Sequence, residues 1–252
     1  MLEIHLIIKS HSVLENIQHE LYCLVGNSGK SSVGNLLLGK EEFVVKERTS
    51  CTRRLGLVAG QWLTVVDTPG WWCDFSAQET TQLVKREILS SVSHCSPGPH
   101  VFLIAIKASS AFSEKRRRAV EEHVGLLGER VWSHCMVVLT SADRCDHTVH
   151  YIEGEGEPLQ WLVERCGNRY HVLNNKTKGD GFQVRELIEK IEVMLAGCNS
   201  GWQYEIEKEV MKQLERKMRK EKERAKERRI KREKQRQMAR SQLGELDKSK
   251  ND

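Results

Sequence analysis

Apolar residues in this chain gather into short runs divided by polar and glycine-bearing stretches. Leu21 to Val25, Trp62 to Val66, Val101 to Ile106, Cys135 to Leu139 and Tyr170 to Leu173 are each short and bounded by turn residues, and they read as buried strands. Arg53 to Val58 and Gln61 to Val66 read as a hairpin closed near Ala59-Gly60. Helical spacing follows the first run at Val33 to Leu38, and returns where Val120, Val124 and Leu127 share one face. Leu2-Glu3-Ile4-His5-Leu6 alternates like a strand with no identified partner, so residues 1–18 are set aside as an extension.

The pattern changes after residue 200. Ile206, Val210, Leu214 and Met218 form an apolar stripe for about three helical turns. The heptad positions beyond it, Glu221, Arg228 and Arg232, are charged, so a coiled-coil register is not sustained. Lys208 to Arg240 holds 16 Lys or Arg against 6 Glu and contains neither Gly nor Pro, which predicts a long helix. This stretch carries +10, whereas the whole chain carries +5. Its charge suits a solvated helix, an anionic membrane surface or a short docking element. No aromatic residues are interleaved with the basic ones, so there is little signal for single-stranded nucleic acid. The expected organisation is an extension over 1–18, a domain over 19–200 and a charged helical tail over 201–252.

Candidate chemistry sits where the first strand meets its helix. Gly26-Asn27-Ser28-Gly29-Lys30-Ser31-Ser32 resembles a phosphate-binding loop, but only two residues separate Gly26 from Gly29 where four are usual. In such a loop successive amides curl around a phosphate at a helix N-terminus, which the helix dipole also favours. Lys30 would bridge the β- and γ-phosphates and Ser31 would ligate Mg²⁺. The shortened wrap either draws Leu24 and Val25 into the loop or forgoes amide donors.

Downstream, a strand ends in Asp67-Thr68-Pro69-Gly70. An acidic group there can reach Mg²⁺ through water, and the Gly70 amide can approach a γ-phosphate. Thr49 is the candidate for a switch hydroxyl completing the metal shell, with Ser50 and Thr52 as competitors. Ser31, Thr49 and Asp67 are thus the candidate metal residues. The strand Cys135 to Leu139 leads into Thr140-Ser141-Ala142-Asp143, where Asp143 can accept from the ring N–H and exocyclic amine of guanine. Asn174 and Asn175, after the last strand, can wall the base.

With those residues in view, the chain resembles the immunity-associated nucleotide-binding GTPases, the GIMAP or AIG-type family. The most specific likeness is the block Cys95-Ser96-Pro97-Gly98-Pro99-His100, continuing through Val101 to Ile106, Phe112-Ser113-Glu114, Val120 to Val124, Leu126 to Glu129 and Val131-Trp132. The likeness runs from about Leu21 to about Ala196. It implies an α/β, Ras-like P-loop G domain with a mostly parallel sheet flanked by helices, followed here by the basic helix. It also implies GTP or GDP with Mg²⁺, and self-association with copies or relatives across the nucleotide face. A cytoplasmic life, peripheral at membranes, is implied as well.

Several positions depart from the family pattern. The phosphate loop is two residues short, and the region of Thr49 to Cys51 is one residue tighter. Ala111 stands where several relatives have arginine, and Trp71 follows Gly70 where no glutamine orients water. A transition-state arginine contributes about 10³–10⁵ in rate, so slow intrinsic GTP hydrolysis is expected. The alternative is a nucleotide-free scaffold that retains the fold.

Composition adds bounds. The 252 residues accommodate one G domain with an appendage. No apolar run has bilayer-spanning length, and the amino terminus does not read as a signal peptide. Eight cysteines are scattered without zinc spacing, so free thiols in a reducing compartment are expected.

Overall fold

In the computed structural model of the chain, the described residues are 19–23, 29–44, 50–71, 74–95, 98–140, 148–174, 181–196 and 203–248. They form two compact units, Met1–Ile206 and Glu207–Asp252. The expected N-terminal extension, Leu24 and Val25, the phosphate-loop residues Gly26, Asn27 and Ser28, and the candidates Thr49, Asp143 and Asn175 lie outside the described residues.

The first unit is built on a six-stranded sheet in the order β2-β3-β1-β4-β5-β6. Its strands are β1 (His19–Cys23), β2 (Thr52–Val58), β3 (Gln61–Asp67), β4 (Val101–Lys107), β5 (Cys135–Thr140) and β6 (Tyr170–Leu173). All neighbours pair in parallel except β2 with β3. This is the mostly parallel α/β architecture of a Ras-like domain, with α1 (Lys30–Leu38), α2 (Gln82–Ser91), α3 (Glu114–Gly125), α4 (Thr148–Glu155), α5 (Glu157–Arg165) and α6 (Phe182–Ala196) between and after the strands.

Parallel strands need cover on both faces, which explains why their sequences read as unbroken apolar runs. From Val101 to Ile106 every residue of β4 is buried. One face, through Leu63, Val101, Leu103, Ala105, Met136, Val138 and Leu173, packs with Val33 and Leu37 of α1 and with Val184, Leu187, Ile188 and Ile191 of α6. Alternate residues of β4 point the other way, and there Phe102 meets Tyr204 edge-on at 5.2 Å.

The hairpin closes at Ala59 and Gly60, both with positive φ, 49° and 83°. That geometry suits the right-handed twist of the paired strands, although Ala59 is not a residue that favours it. On α3 the apolar face is as expected: Val120, Val124 and, just past the helix, Leu127 are buried.

Two glycines mark close approaches. A Cβ on Gly34 would lie 2.8 Å from the Phe43 ring, and one on Gly98 would run into the Tyr204 carbonyl oxygen. The Tyr204 N–H donates to Pro99 O at 2.7 Å, and its hydroxyl donates to Leu127 O. Gly98 is therefore small because the chain around Tyr204 crosses directly over it.

The second unit contains α7 (Lys208–Lys248), a single helix of 41 residues. Its residues 223–238 are exposed throughout. Among the described residues, no helix is long and apolar enough to cross a membrane.

Candidate functional site

The carboxyl ends of β1 and β3 are level, because their register pairs Cys23 with Asp67. Gly29 adopts φ 87° and ψ 16° as the residue preceding α1, and its carbonyl accepts from Val33 N at 2.8 Å. That left-handed turn suits glycine and opens the helix at Lys30. Lys30 and Ser31 occupy the first turn yet are only 7% and 5% exposed, an arrangement in which two polar residues are held inward beside the free amides of a helix start.

Their common partner is Asp67, which is 1% exposed. Ser31 Oγ donates to Asp67 Oδ2 at 2.7 Å, and Lys30 Nζ lies 3.6 Å from Oδ1. Oδ1 has no hydrogen-bond partner among the described residues. A buried carboxylate oxygen left in this state carries a desolvation cost, and a cation or its water shell relieves it. The donor set is all oxygen plus one ammonium, which matches hard-cation and phosphate chemistry. The residues present therefore fit a magnesium-bound phosphate. Among the described residues no cluster of three His, Cys, Asp or Glu side chains forms a separate metal site.

Around this core the other candidates divide. Thr52 pairs with Asp67 across the hairpin, and exposed Ser50 lies two residues earlier in the chain. Between them Cys51 is anchored: its N–H donates to Glu87 Oε2 at 3.0 Å and its Sγ donates to Glu87 O at 3.2 Å. Burial, then the negative charges of Glu87 and Asp67, push the Cys51 thiol up to about 12. Ser32 is half-buried on α1, and Gly70 is half-buried beyond β3.

At the other end, Thr140 is fully buried at the end of β5, and its hydroxyl donates to Ile106 O at 3.4 Å. Ala108 N donates to Thr140 O at 2.9 Å, which joins β4 and β5 at the edge leading towards Asp143. The Asn174 N–H donates to Gln183 Oε1 at 2.7 Å. Gln183 was not legible as a partner of Asn174, since their contact depends on α6 returning beside β6.

Several supports around the site also have no signature in sequence. Asn35 grips Phe43 twice, its amide donating to Phe43 O at 2.8 Å and its oxygen accepting from Phe43 N at 2.7 Å. Beyond Gly70, Trp71 is 3% exposed and stacks on His123 of α3, with ring centroids 4.2 Å apart and planes 1° apart. Arg116 donates to Ala111 O at 2.8 Å and pairs with Asp74 at 3.3 Å.

Comparison with known proteins agrees with this fold. The sequence profile of the AIG1 family matches residues 23–228. Immune-associated nucleotide-binding protein 5 of Arabidopsis thaliana is 26% identical, over 68% of this chain and 59% of its own length. GTPase IMAP family member 8 of Homo sapiens is 30% identical, over 69% of this chain and 27% of its own length. The chain thus spans less than two thirds of the length of either relative. Among solved structures, Toc33 from Arabidopsis thaliana in complex with Mg²⁺ and GMPPNP superposes with a TM-score of 0.56 at 14% identity, covering 71% of this chain and 85% of that one. Fold, polar cluster and matched profile together lead to one conclusion: the chain belongs to the AIG1 family.

Proposed function

We propose that this protein binds guanine nucleotide with Mg²⁺ at the carboxyl edge of its sheet and acts as a nucleotide-dependent, self-assembling switch with slow intrinsic GTP hydrolysis. The observation that carries the reading is the buried trio of Lys30, Ser31 and Asp67, with one Asp67 oxygen lacking a hydrogen-bond partner. Magnesium, held by Ser31 and Asp67, would supply charge neutralisation for the phosphates. Lys30 would contribute a point charge to the phosphates, and Ser31 would turn its hydroxyl from Asp67 towards the metal. Asp67 would hold the metal through water, and Gly70 would offer its amide to the last phosphate.

Base selection is assigned to Asp143, with Asn174 and Asn175 at the wall of the base pocket and Thr49 completing the metal shell. Slow turnover follows from Ala111 and Trp71, which supply neither a guanidinium nor a water-orienting amide. Relatives are named nucleotide-binding proteins and GTPases, and dimerization of Toc33 is described as important for its GTPase activity. Those names support nucleotide binding and assembly as the reading for this chain. The basic α7 helix is assigned to anionic membrane surfaces at the cytoplasmic side. Deleting residues 208–252 is expected to weaken binding to anionic vesicles while leaving nucleotide affinity unchanged.

The decisive experiment is isothermal titration of the full chain with GTP, GDP and ATP in Mg²⁺. Guanine nucleotides binding at least about tenfold tighter than ATP support the proposal, and equal binding overturns it. A second reading, a nucleotide-free scaffold, is favoured by the two-residue gap between Gly26 and Gly29. Inserting two residues before Gly29 separates the readings. A large gain in GTP affinity supports the scaffold, and little change supports a working short loop.

A further inference from the structure

Gly70 is half-buried between two neighbours, Pro69 and Trp71, that are both buried. Its backbone is therefore held from either side, and on the downstream side the anchor is Trp71. The indole Nε1 has no hydrogen-bond partner among the described residues. What holds the ring is its stack on His123, flat to within 1°.

His123 is itself fully buried, and both ring nitrogens are engaged. Nδ1 lies 2.6 Å from Ala119 O, and Nε2 lies 2.7 Å from Thr80 Oγ1. Burial lowers this imidazole to about 4, so it is neutral near pH 7. A neutral ring carries one proton, and the carbonyl of Ala119 can only accept, so Nδ1 is the donor. Nε2 must then accept from the Thr80 hydroxyl. Ser76 O, the other acceptor near that hydroxyl, already receives the N–H groups of Glu79 and Thr80. One imidazole therefore fixes the segment after Gly70 at two points nine residues apart, Trp71 and Thr80.

Two further ties run to the same helix. Arg116 pairs with Asp74 at 3.3 Å, and Glu122 Oε2 accepts from Ala77 N at 2.7 Å. An ordinary core contact would use an apolar ring here, without the cost of desolvating an imidazole. The polar ring adds directional bonds to the stack, and directionality serves to set a position rather than to fill space.

We propose that Trp71 and His123 form a positioning pair that sets the Gly70 amide at the mouth of the site and thereby determines the preference for a nucleoside triphosphate over a diphosphate. This rests on the nucleotide reading above. Neither residue touches the phosphates. They act through the backbone of Gly70, so their loss removes an interaction available only to the third phosphate.

The test uses the full chain with Mg²⁺, titrated with GDP and with a non-hydrolysable GTP analogue. His123→Leu and Trp71→Leu are each expected to lower the analogue-to-GDP affinity ratio about tenfold, as small misplacements of a positioned group do. GDP affinity should stay within about threefold of the unaltered protein, and His123→Phe, which keeps a flat ring but loses both hydrogen bonds, should recover only part of the ratio. An unchanged ratio, or equal loss of both nucleotides, overturns the pair's role. Should the core variants fail to fold, Thr80→Val, which removes the hydroxyl bonded to His123 Nε2 at nearly constant volume, is titrated instead, and the same fall or constancy in the ratio decides. If the unaltered chain binds neither nucleotide, the nucleotide reading itself fails, and that result is read before any variant is made.

Discussion

Ser31 Oγ donates to Asp67 Oδ2 across 2.7 Å, linking the first turn of α1 to the last residue of β3 although 36 positions separate them in sequence. Ser31→Ala would leave Asp67 with both oxygens short of a protein donor in a buried setting. The expected cost is roughly 1–3 kcal/mol in the nucleotide-free protein, seen as a lower thermal midpoint. Mg²⁺ dependence of GDP binding should fall as well. A variant with unchanged midpoint and unchanged Mg²⁺ dependence would contradict the role given to this bond.

Gly98→Ala places a methyl group against the Tyr204 carbonyl, a backbone atom that cannot swing away as a side chain can. The predicted loss is about 1–3 kcal/mol, in the range for overpacked sites. Thermal unfolding measures it, and near-UV circular dichroism should show altered packing of Phe102 and Tyr204. An unaltered melting curve would mean the crossing segment yields freely.

Acid should destabilise the first unit through two histidines. Burial first, then opposed by the bond to Ala119, holds His123 at about 4. Burial first, reinforced by Lys190, holds His171 at about 4 as well, against an ordinary 6.5 for both. Below 6.5 the unfolded chain takes up protons that the folded chain refuses until about 4. Stability from these rings is thus complete above about pH 6.5 and declines towards pH 4, at roughly 1.4 kcal/mol per pH unit for each ring. Urea unfolding at stepped pH tests this, and His123→Phe should flatten the slope by one ring's share. A flat profile in the unaltered protein would refute it.

Ala59→Asn should stabilise the hairpin. Ala59 stands at φ 49°, where a side chain other than Asn or Asp is disfavoured by about 1 kcal/mol, and Asn followed by glycine is a favoured pair for this turn. A rise of a few degrees in thermal midpoint is expected. A fall would show that the turn is set by something other than local backbone preference.

Much of the architecture was readable from apolar runs, because strands covered on both faces have to be continuously apolar. Val101 to Ile106 and Cys135 to Leu139 became β4 and β5 with one residue added to each. β1 shows the limit of that approach. The apolar run begins at Leu21, whereas the strand starts at His19, since parallel pairing with Leu63 and Thr64 recruits His19 and Glu20 whatever their polarity. That Lys30, Ser31 and Asp67 come together was legible, because each sits at or just past the end of a strand. Trp71 was legible only as the lack of a glutamine. Its partner His123 lies on α3, and only the folded sheet brings the two together. Asn35 and Gln183 were missed for a related reason: each bonds to backbone, and backbone acceptors leave no trace in residue identity.

Tyr204 has a practical consequence for anyone dissecting the molecule. It lies past the last helix of the sheet domain and just before the basic helix, where a linker would ordinarily be trimmed. Yet its ring meets Phe102, its hydroxyl satisfies Leu127, and its backbone closes over Pro99. A shortened protein ending before Gln203 would strip the lid from the start of β4 and uncover a core phenylalanine. Poor behaviour of such a fragment would then report a missing closure, and would say nothing about what the basic helix does.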